Sequence, residues 1–298
     1  MKKTLTALGL ASLVLVGTPP ATATATAPAK SEPLRILLTN DDGYTAPGIK
    51  AVYDKLTAAG NDVTIVAPTE NQSGTGTGQA FGGTVKASHV SEDVWAVTGT
   101  PGDSVMFGLF HVFKDKKPDL VVSGTNFGQN IAALANHSGT LGGAVSALDH
   151  DIPAIAVSTE FSPDGSPEAT LNAQRHTAAF LAELIASLRA KAGRGALLPE
   201  DVGLNVNYPI VGPDGDRPAT DWALTNQDRQ PILVPSYTDK GDGTYAIGIS
   251  YAPREPGPRA DLVALAADKI SITPIDANWT AGAIAYGRAG SLLRGLKP

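Results

Sequence analysis

Two carboxylates in direct succession, Asp41 and Asp42, follow a short apolar run and precede a glycine: Arg35-Ile36-Leu37-Leu38-Thr39-Asn40-Asp41-Asp42-Gly43. Adjacent ionised carboxylates repel one another, so such a pair needs a compensating cation. Oxygen donors of this kind suit a hard divalent ion such as Mg²⁺, Mn²⁺ or Ca²⁺. The competing explanation is an ordinary Asp/Gly turn after a strand. On the nonapeptide alone both readings stand. Three more groups of small polar residues could meet such an ion or its ligand: Ser73-Gly74, Asn126 with Gly128 and Asn130, and His137-Ser138-Gly139-Thr140. A Ser-Gly-Thr that opens a helix offers an anion unpaired N–H groups and the positive end of a helix dipole. It is equally a common helix cap.

The elements around these groups read as alternating strands and helices. Ile36 to Leu38 has the length and flanks of a buried parallel strand. A helix follows over residues 47–59, with Ile49, Val52, Tyr53 and Leu56 on one face, Pro47 at its start and Gly60-Asn61 at its stop. Residues 62–67 form a second strand, and the handedness of a βαβ unit makes it parallel to the first. The Gly/Thr/Gln/Ser-rich loop 69–83 then leaves the same carboxyl edge as Asp41 and Asp42. Two short strands are expected within 84–98, a helix from 99 through about 113, a buried strand over 118–124, a helix opened by residues 137–140, and a strand over 152–158. Three strand ends and one helix start thus converge on one edge, where open α/β sheets bind their ligands. Beyond them come a long helix over 168–190 and a strand over 203–208. Residues 217–259, rich in Pro, Gly, Asp and alternating aromatics, read as β-hairpin strands in an arm projecting from the core. Residues 261–275 return to compact structure.

Met1-Lys2-Lys3, the apolar run Leu5 to Val16 and Ala-x-Ala sites between Ala21 and Ala27 read as a secretory signal over about residues 1–27. The run is shorter than the roughly 20 residues a spanning helix requires. With no cysteine there is neither a lipid-anchoring thiol nor a disulfide. The expectation is an exported protein, periplasmic or extracellular, without a membrane anchor and folded as one domain over residues 34–298. The formal net charge is −6, and loss of Lys2 and Lys3 leaves 21 basic against 29 acidic residues, a net −8. An acidic chain without Lys/Arg clusters argues against duplex nucleic acid as a partner.

The motifs, taken together in order, resemble the stationary-phase survival protein (SurE) family of metal-dependent nucleotidases and acid phosphatases. The resemblance rests on residues 36–43 with Ala46-Pro47-Gly48-Ile49, on Val66-Ala67-Pro68 with Ser73-Gly74, and on Gly99-Thr100-Pro101-Gly102-Asp103. It continues through residues 118–124, Asn126-Phe127-Gly128-Gln129-Asn130, Ser138-Gly139-Thr140, Leu204-Asn205-Val206-Asn207 and Ile270-Ser271-Ile272-Thr273-Pro274. It implies an α/β fold with a Rossmann-like three-layer core, a mostly parallel sheet and a C-terminal β-hairpin arm. It implies one divalent metal ion per subunit, Mg²⁺ or Mn²⁺, on Asp41, Asp42, Ser73 and Asn126, with the two Asp as the catalytic pair. Asn130 and Ser138-Gly139-Thr140 would hold the phosphate of a small phosphomonoester such as a nucleoside monophosphate. A homodimer or homotetramer with exchanged C-terminal elements is implied as well. The chain departs from the family pattern at Ala132-Ala133-Leu134, where acidic residues and a glycine are frequent. It departs again at His137, usually Tyr, and at Gln72, sometimes a base.

Other hydrolase patterns fail on specific residues. A haloacid-dehalogenase-type phosphatase needs an Asp nucleophile two positions before Asp42, and Asn40 stands there. The five His show no HExxH spacing, and no Gly-x-Ser-x-Gly elbow, Walker loop or dinucleotide fingerprint is present. The non-enzymatic alternative is an exported protein that binds nucleotides or metal without turnover. The export reading has its own check: N-terminal sequencing of protein from the native host should begin between about Thr24 and Ser31, and an intact Met1 in a cytosolic fraction would refute it.

Overall fold

The computed structural model describes residues 32–162, 164–193, 195–251 and 255–294, so the expected signal segment lies outside the described residues. The chain runs β1 (Arg35–Thr39), α1 (Pro47–Ala58), β2 (Asp62–Pro68), β3 (Ala87–Ser91), β4 (Val94–Val97), α2 (Pro101–Phe107), β5 (Leu120–Phe127), α3 (Gly139–Leu148), β6 (Ala154–Thr159) and α4 (Pro167–Ala192). It continues with β7 (Gly203–Tyr208), β8 (Trp222–Leu224), β9 (Leu233–Asp239), β10 (Tyr245–Tyr251), α5 (Asp261–Ala266), β11 (Ile270–Ile275) and α6 (Ala283–Leu292). A nine-stranded sheet has the order β3-β4-β2-β1-β5-β6-β7-β11-β8, and β9 and β10 pair only with each other. From β4 through β7 every neighbouring pair is parallel, and the antiparallel pairs of this sheet are β3 with β4 and β11 with β7.

Alternate residues of the central strands face two separate cores. Ile36, Leu38, Leu120, Val122, Ile155 and Val157 pack with Ile49, Val52 and Leu56 of α1 and with Ala178, Leu181 and Ile185 of α4. Their neighbours Leu37, Val121, Ala154 and Ala156 pack with Val105 and Leu109 and with Leu141, Ala144 and Leu148 of α3. This is the three-layer α/β sandwich, and burial on both faces explains why the strands read as continuous apolar runs. β1 has β2 on one side and β5 on the other, so the chain changes winding direction between β1 and β5. The crevice at such a switch point is where doubly wound sheets bind ligands. Asp41 and Asp42 follow β1 there, and Asn126 lies at the end of β5.

Three elements differ from expectation. The helix expected through about residue 113 ends at Phe107 and passes into a π-helical turn over Gly108–Val112. Within the range expected for the arm, β8 joins the main sheet as its edge strand beside β11. Its short alternating pattern carries no mark of which partner it takes, and only the remaining hairpin, β9 with β10, projects. The helix α6 had no sequence signal, because its Ala/Gly-rich stretch has little helical periodicity and glycine opposes helix formation.

Candidate functional site

The turn after β1 is closed by its own asparagine. Asn40, fully buried, donates from Nδ2 to the Gly43 carbonyl at 3.0 Å and accepts from the Gly43 N–H at 3.2 Å. This side-chain bridge presents Asp41 and Asp42 at the sheet edge, and it uses the position where the rejected phosphatase class would need its nucleophile. Asp41 is 2 % exposed, and its Oδ1 accepts a 2.7 Å hydrogen bond from the Thr140 hydroxyl. The first amides of α3, from Gly139 and Thr140, also favour its charged form. Gly139 permits this approach, since a Cβ there would sit 2.9 Å from Asp41 Cβ and 3.0 Å from Asp41 Oδ2. Asp42 is partly open. Its Oδ2 accepts from the Phe127 N–H at 2.9 Å, and Asn71 reaches its Oδ1 at a long 3.5 Å.

Asn126 reaches this edge through an irregularity in β5. The register against β6 shifts between Ser123 and Asn126. Gly124 adopts φ +130°, and a Cβ there would lie 2.1 Å from the Val157 carbonyl oxygen, so only glycine fits. Asn126 Nδ2 donates to the Gly128 carbonyl at 2.7 Å, which leaves its Oδ1 as a free donor atom for a cation. The loop bearing Ser73 is tied to the same place. The Gln72 N–H donates to the Asp41 carbonyl at 2.6 Å, the Ser73 N–H to Asn71 Oδ1 at 3.0 Å, and the Gly76 N–H to the His137 carbonyl at 3.1 Å.

The residues expected around the phosphate are differently engaged. Ser138 is the N-cap of α3 and accepts from the Leu141 N–H at 3.2 Å, keeping its O–H available to donate. Thr140 directs its hydroxyl to Asp41. Asn130 is buried and donates to Thr140 Oγ1 at 3.3 Å and to Ser158 Oγ at 2.9 Å. A cavity of about 510 Å³ lined by Thr77, Ser138, Leu141, Val145, Gln227 and Trp279 shares Ser138 with the cluster but is not lined by the two Asp.

Residues 36–232 match the family model described as Survival protein SurE. The chain belongs to the SurE family. It is 35% identical to the 5'-nucleotidase SurE of Methylocella silvestris, over 81% of this chain and 93% of that protein. It is also 35% identical to the 5'-nucleotidase SurE of Parvibaculum lavamentivorans, over 83% and 87%. The crystal structure of a SurE protein from Aquifex aeolicus superposes with a TM-score of 0.71 at 28% identity, covering 87% of this chain and 98% of that one.

In this member of the SurE family the residues named from the sequence, Asp41, Asp42, Ser73 and Asn126, carry only oxygen-donor groups, the type that fits a hard divalent ion. No cluster of three or more His, Cys, Asp or Glu occurs among the described residues. Among the described residues the ion pairs, Arg35 with Asp119, Lys50 with Asp54 and Lys269 with Asp221, lie elsewhere, and none places a cationic side chain on the two Asp. Their proton affinities carry the mark of this. Asp42 is pushed up to about 6, by burial first and by the charge of Asp41 second, against the Phe127 N–H. Asp41 is raised by burial, against its hydrogen bonds from Thr140 and Gly139. Sequence reading gave no role to Asn40, Phe127, Asn205 or Asn207. The signal for the last two was visible, as two amides alternating with Leu204 and Val206 in an apolar strand.

The pH dependence of the metal-free protein follows from the raised Asp42. Between about pH 4 and 6 the folded chain retains a proton that the unfolded chain has released, so stability falls as pH rises through that window. Asparagine at position 42 carries no such penalty. In EDTA, the melting-temperature advantage of Asp42→Asn over wild type should be smallest near pH 4 and reach its full size above about pH 6. A difference that stays constant across that range would show that Asp42 is not held in a charge-opposing environment.

Proposed function

We propose that this chain is a divalent-metal-dependent phosphomonoesterase that hydrolyses nucleoside monophosphates, as a 5'- or 3'-nucleotidase, or other small phosphomonoesters. The observation that carries the reading is the adjacent pair Asp41 and Asp42, gathered at the switch point with no ion pair among the described residues and with their protonation raised. The 5'-nucleotidase names of the relatives support the substrate class. Asp41, Asp42, Ser73 and Asn126 would hold one Mg²⁺ or Mn²⁺ per subunit. When bound, such an ion supplies Lewis-acid polarisation of a phosphoryl oxygen and a water of lowered pKa.

The residues of the chain have separable parts in this scheme. Thr140 and the first amides of α3 orient Asp41 and favour its ionised form against the burial that raises it, and the Phe127 N–H does the same for Asp42. The phosphate is assigned to the start of α3, where the Ser138 O–H is available to donate and the helix dipole favours an anion. Water forms the new bond to phosphorus, the ester P–O bond breaks, and the products are an alcohol and inorganic phosphate. The departures at Ala132-Ala133-Leu134 and His137 lie close to this position and bear on which ester is accepted. Residues 1–27 support export to the periplasm or beyond, and among the described residues no helix is long and apolar enough to cross a membrane.

A homodimer or homotetramer is proposed on the exposed C-terminal elements. In the hairpin, Tyr237, Ile247 and Ile249 are 66%, 67% and 59% exposed, and α6 has no buried residue although it carries Ile284, Tyr286 and Leu292. An isolated two-stranded hairpin is marginal in water, and contiguous exposed apolar groups mark interfaces. A second copy of the chain is the occupant assigned to them.

Two experiments test these readings. The protein should release p-nitrophenol from p-nitrophenyl phosphate with Mn²⁺ or Mg²⁺ and not in EDTA. Asp41→Asn should lower turnover on the order of 100-fold or more with the far-UV dichroism unchanged. Metal-restored activity of Asp41→Asn near wild type would refute the assignment, and metal binding without turnover would favour the binding-protein alternative. In sedimentation, Ile247→Ser with Ile249→Ser should shift the protein toward monomer, and an unchanged oligomer would exclude the arm as its contact.

A further inference from the structure

Two asparagines sit where a central strand would ordinarily carry aliphatic residues. Asn205 and Asn207, on β7 between β6 and β11, are 1% and 0% exposed. Leu204, Val206 and Tyr208 alternate with them and face the α1/α4 core. Asparagine is disfavoured in strands, and burying an amide is costly unless it is hydrogen-bonded. Asn205 Oδ1 has no hydrogen-bond partner among the described residues.

Their bonds converge on one residue. Asn207 Oδ1 accepts from the Asn130 N–H at 2.7 Å, and Asn207 Nδ2 donates to the Asn130 carbonyl at 3.2 Å. Asn205 Nδ2 donates to the same carbonyl at 2.9 Å. Both backbone polar groups of Asn130 are thereby fixed by a strand two positions from β5 in the sheet. From Asn130 the side chain passes on to Thr140 Oγ1 and Ser158 Oγ. The Thr140 hydroxyl, accepting from Asn130, is turned so that its proton goes to Asp41 Oδ1 at 2.7 Å. Every member of the series Asn207, Asn130, Thr140, Asp41 is buried.

We propose that Asn205 and Asn207 are positioning residues for the metal-binding carboxylate Asp41, acting through the Asn130 backbone, the Asn130 amide and the Thr140 hydroxyl. The proposal rests on the reading of Asp41 as a metal ligand. It gives Asn130 and Thr140 a role distinct from touching the phosphate: the hydroxyl of Thr140 orients the carboxylate, and Asn130 fixes the rotamer of that hydroxyl. Outer partners of ligating groups commonly control metal affinity by 10–100-fold. A carboxylate released from its single side-chain donor loses the orientation that the ion requires.

The test is Mn²⁺ binding to the full chain by titration calorimetry, with melting temperature and kinetics on p-nitrophenyl phosphate measured alongside. The variants are Asn207→Leu, Thr140→Val, the double variant and Thr140→Ser, which restores the hydroxyl. Asn207→Leu and Thr140→Val should each weaken Mn²⁺ binding about 10–100-fold. The double variant should be no weaker than the weaker single one, because both act on the same bond. Thr140→Ser should bind Mn²⁺ close to wild type. If Asn207→Leu does not fold, Asn205→Leu, which removes one of the two donors to the Asn130 carbonyl, takes its place. A lowered melting temperature with unchanged Mn²⁺ affinity overturns the proposal, as do losses that multiply in the double variant. Wild-type protein that binds no Mn²⁺ overturns this proposal together with the metal-dependent reading. Wild-type binding that survives Asn207→Leu overturns this proposal alone.

Discussion

A nearly buried carboxylate, with no ion pair to a positive side chain among the described residues, is the constraint around which this fold is arranged. Asp41 has lost most of its water, and such a group stays charged only if fixed dipoles replace the lost hydration. Two sources are assembled for it: the Thr140 hydroxyl and the first amides of α3. Each makes its own structural demand. α3 must point its N-terminus at the end of β1, the residue in its first turn must lack a side chain so the amides can come close, and Thr140 must be held in one rotamer. Gly139 and the Asn130 contact meet the last two demands. Asp42 adds the repulsion of a second charge, which is why its protonation is raised by its neighbour as well as by burial.

The sheet supplies the rigidity that this arrangement needs. β1, β5, β6 and β7 are consecutive in the sheet, and each delivers one part of the cluster: the two Asp just past β1, Asn126 and Ser158 near the carboxyl ends of β5 and β6, and the paired Asn205 and Asn207 of β7. Apolar packing on both faces, in interiors as dense as organic crystals, holds the strands in place. The irregular stretch of β5 is the local exception. It gives up regular pairing between Ser123 and Asn126 and brings the Phe127 N–H onto Asp42 Oδ2.

The C-terminal part obeys a different logic. β11 returns to the sheet between β7 and β8, and α5 closes over a small core with Ile131, Ile232 and Leu262. Asp261, the buried first residue of α5, accepts N–H donors from Ala132, Asp228 and Leu262 and so ties the segment after Asn130 to the base of the arm. The hairpin and α6 contribute nothing to either main core, yet they carry aromatic and aliphatic groups.

Much was determined by local chemistry that the sequence carries openly. Apolar runs with turn signals gave β1, β2, β5 and β6, helical spacing gave α1 and α4, and an exposed face opposite each apolar stripe required the layered α/β arrangement. The paired Asp, the Asn at the end of β5 and the Ser-Gly-Thr that opens α3 were legible as candidates because each ends or follows a strand or opens a helix. Their partners were not. That Thr140 turns to Asp41, that Ser138 caps its own helix, and that Asn207 holds Asn130 across 77 residues of chain depend on which strand lies beside which. The sequence likewise could not separate β8 from the arm, since a three-residue alternating stretch fits a sheet edge or a hairpin equally well. Side-chain type and spacing report what a residue can do locally, whereas hydrogen-bond direction and pairing at long range are decided only when the sheet order brings the partners within 3 Å.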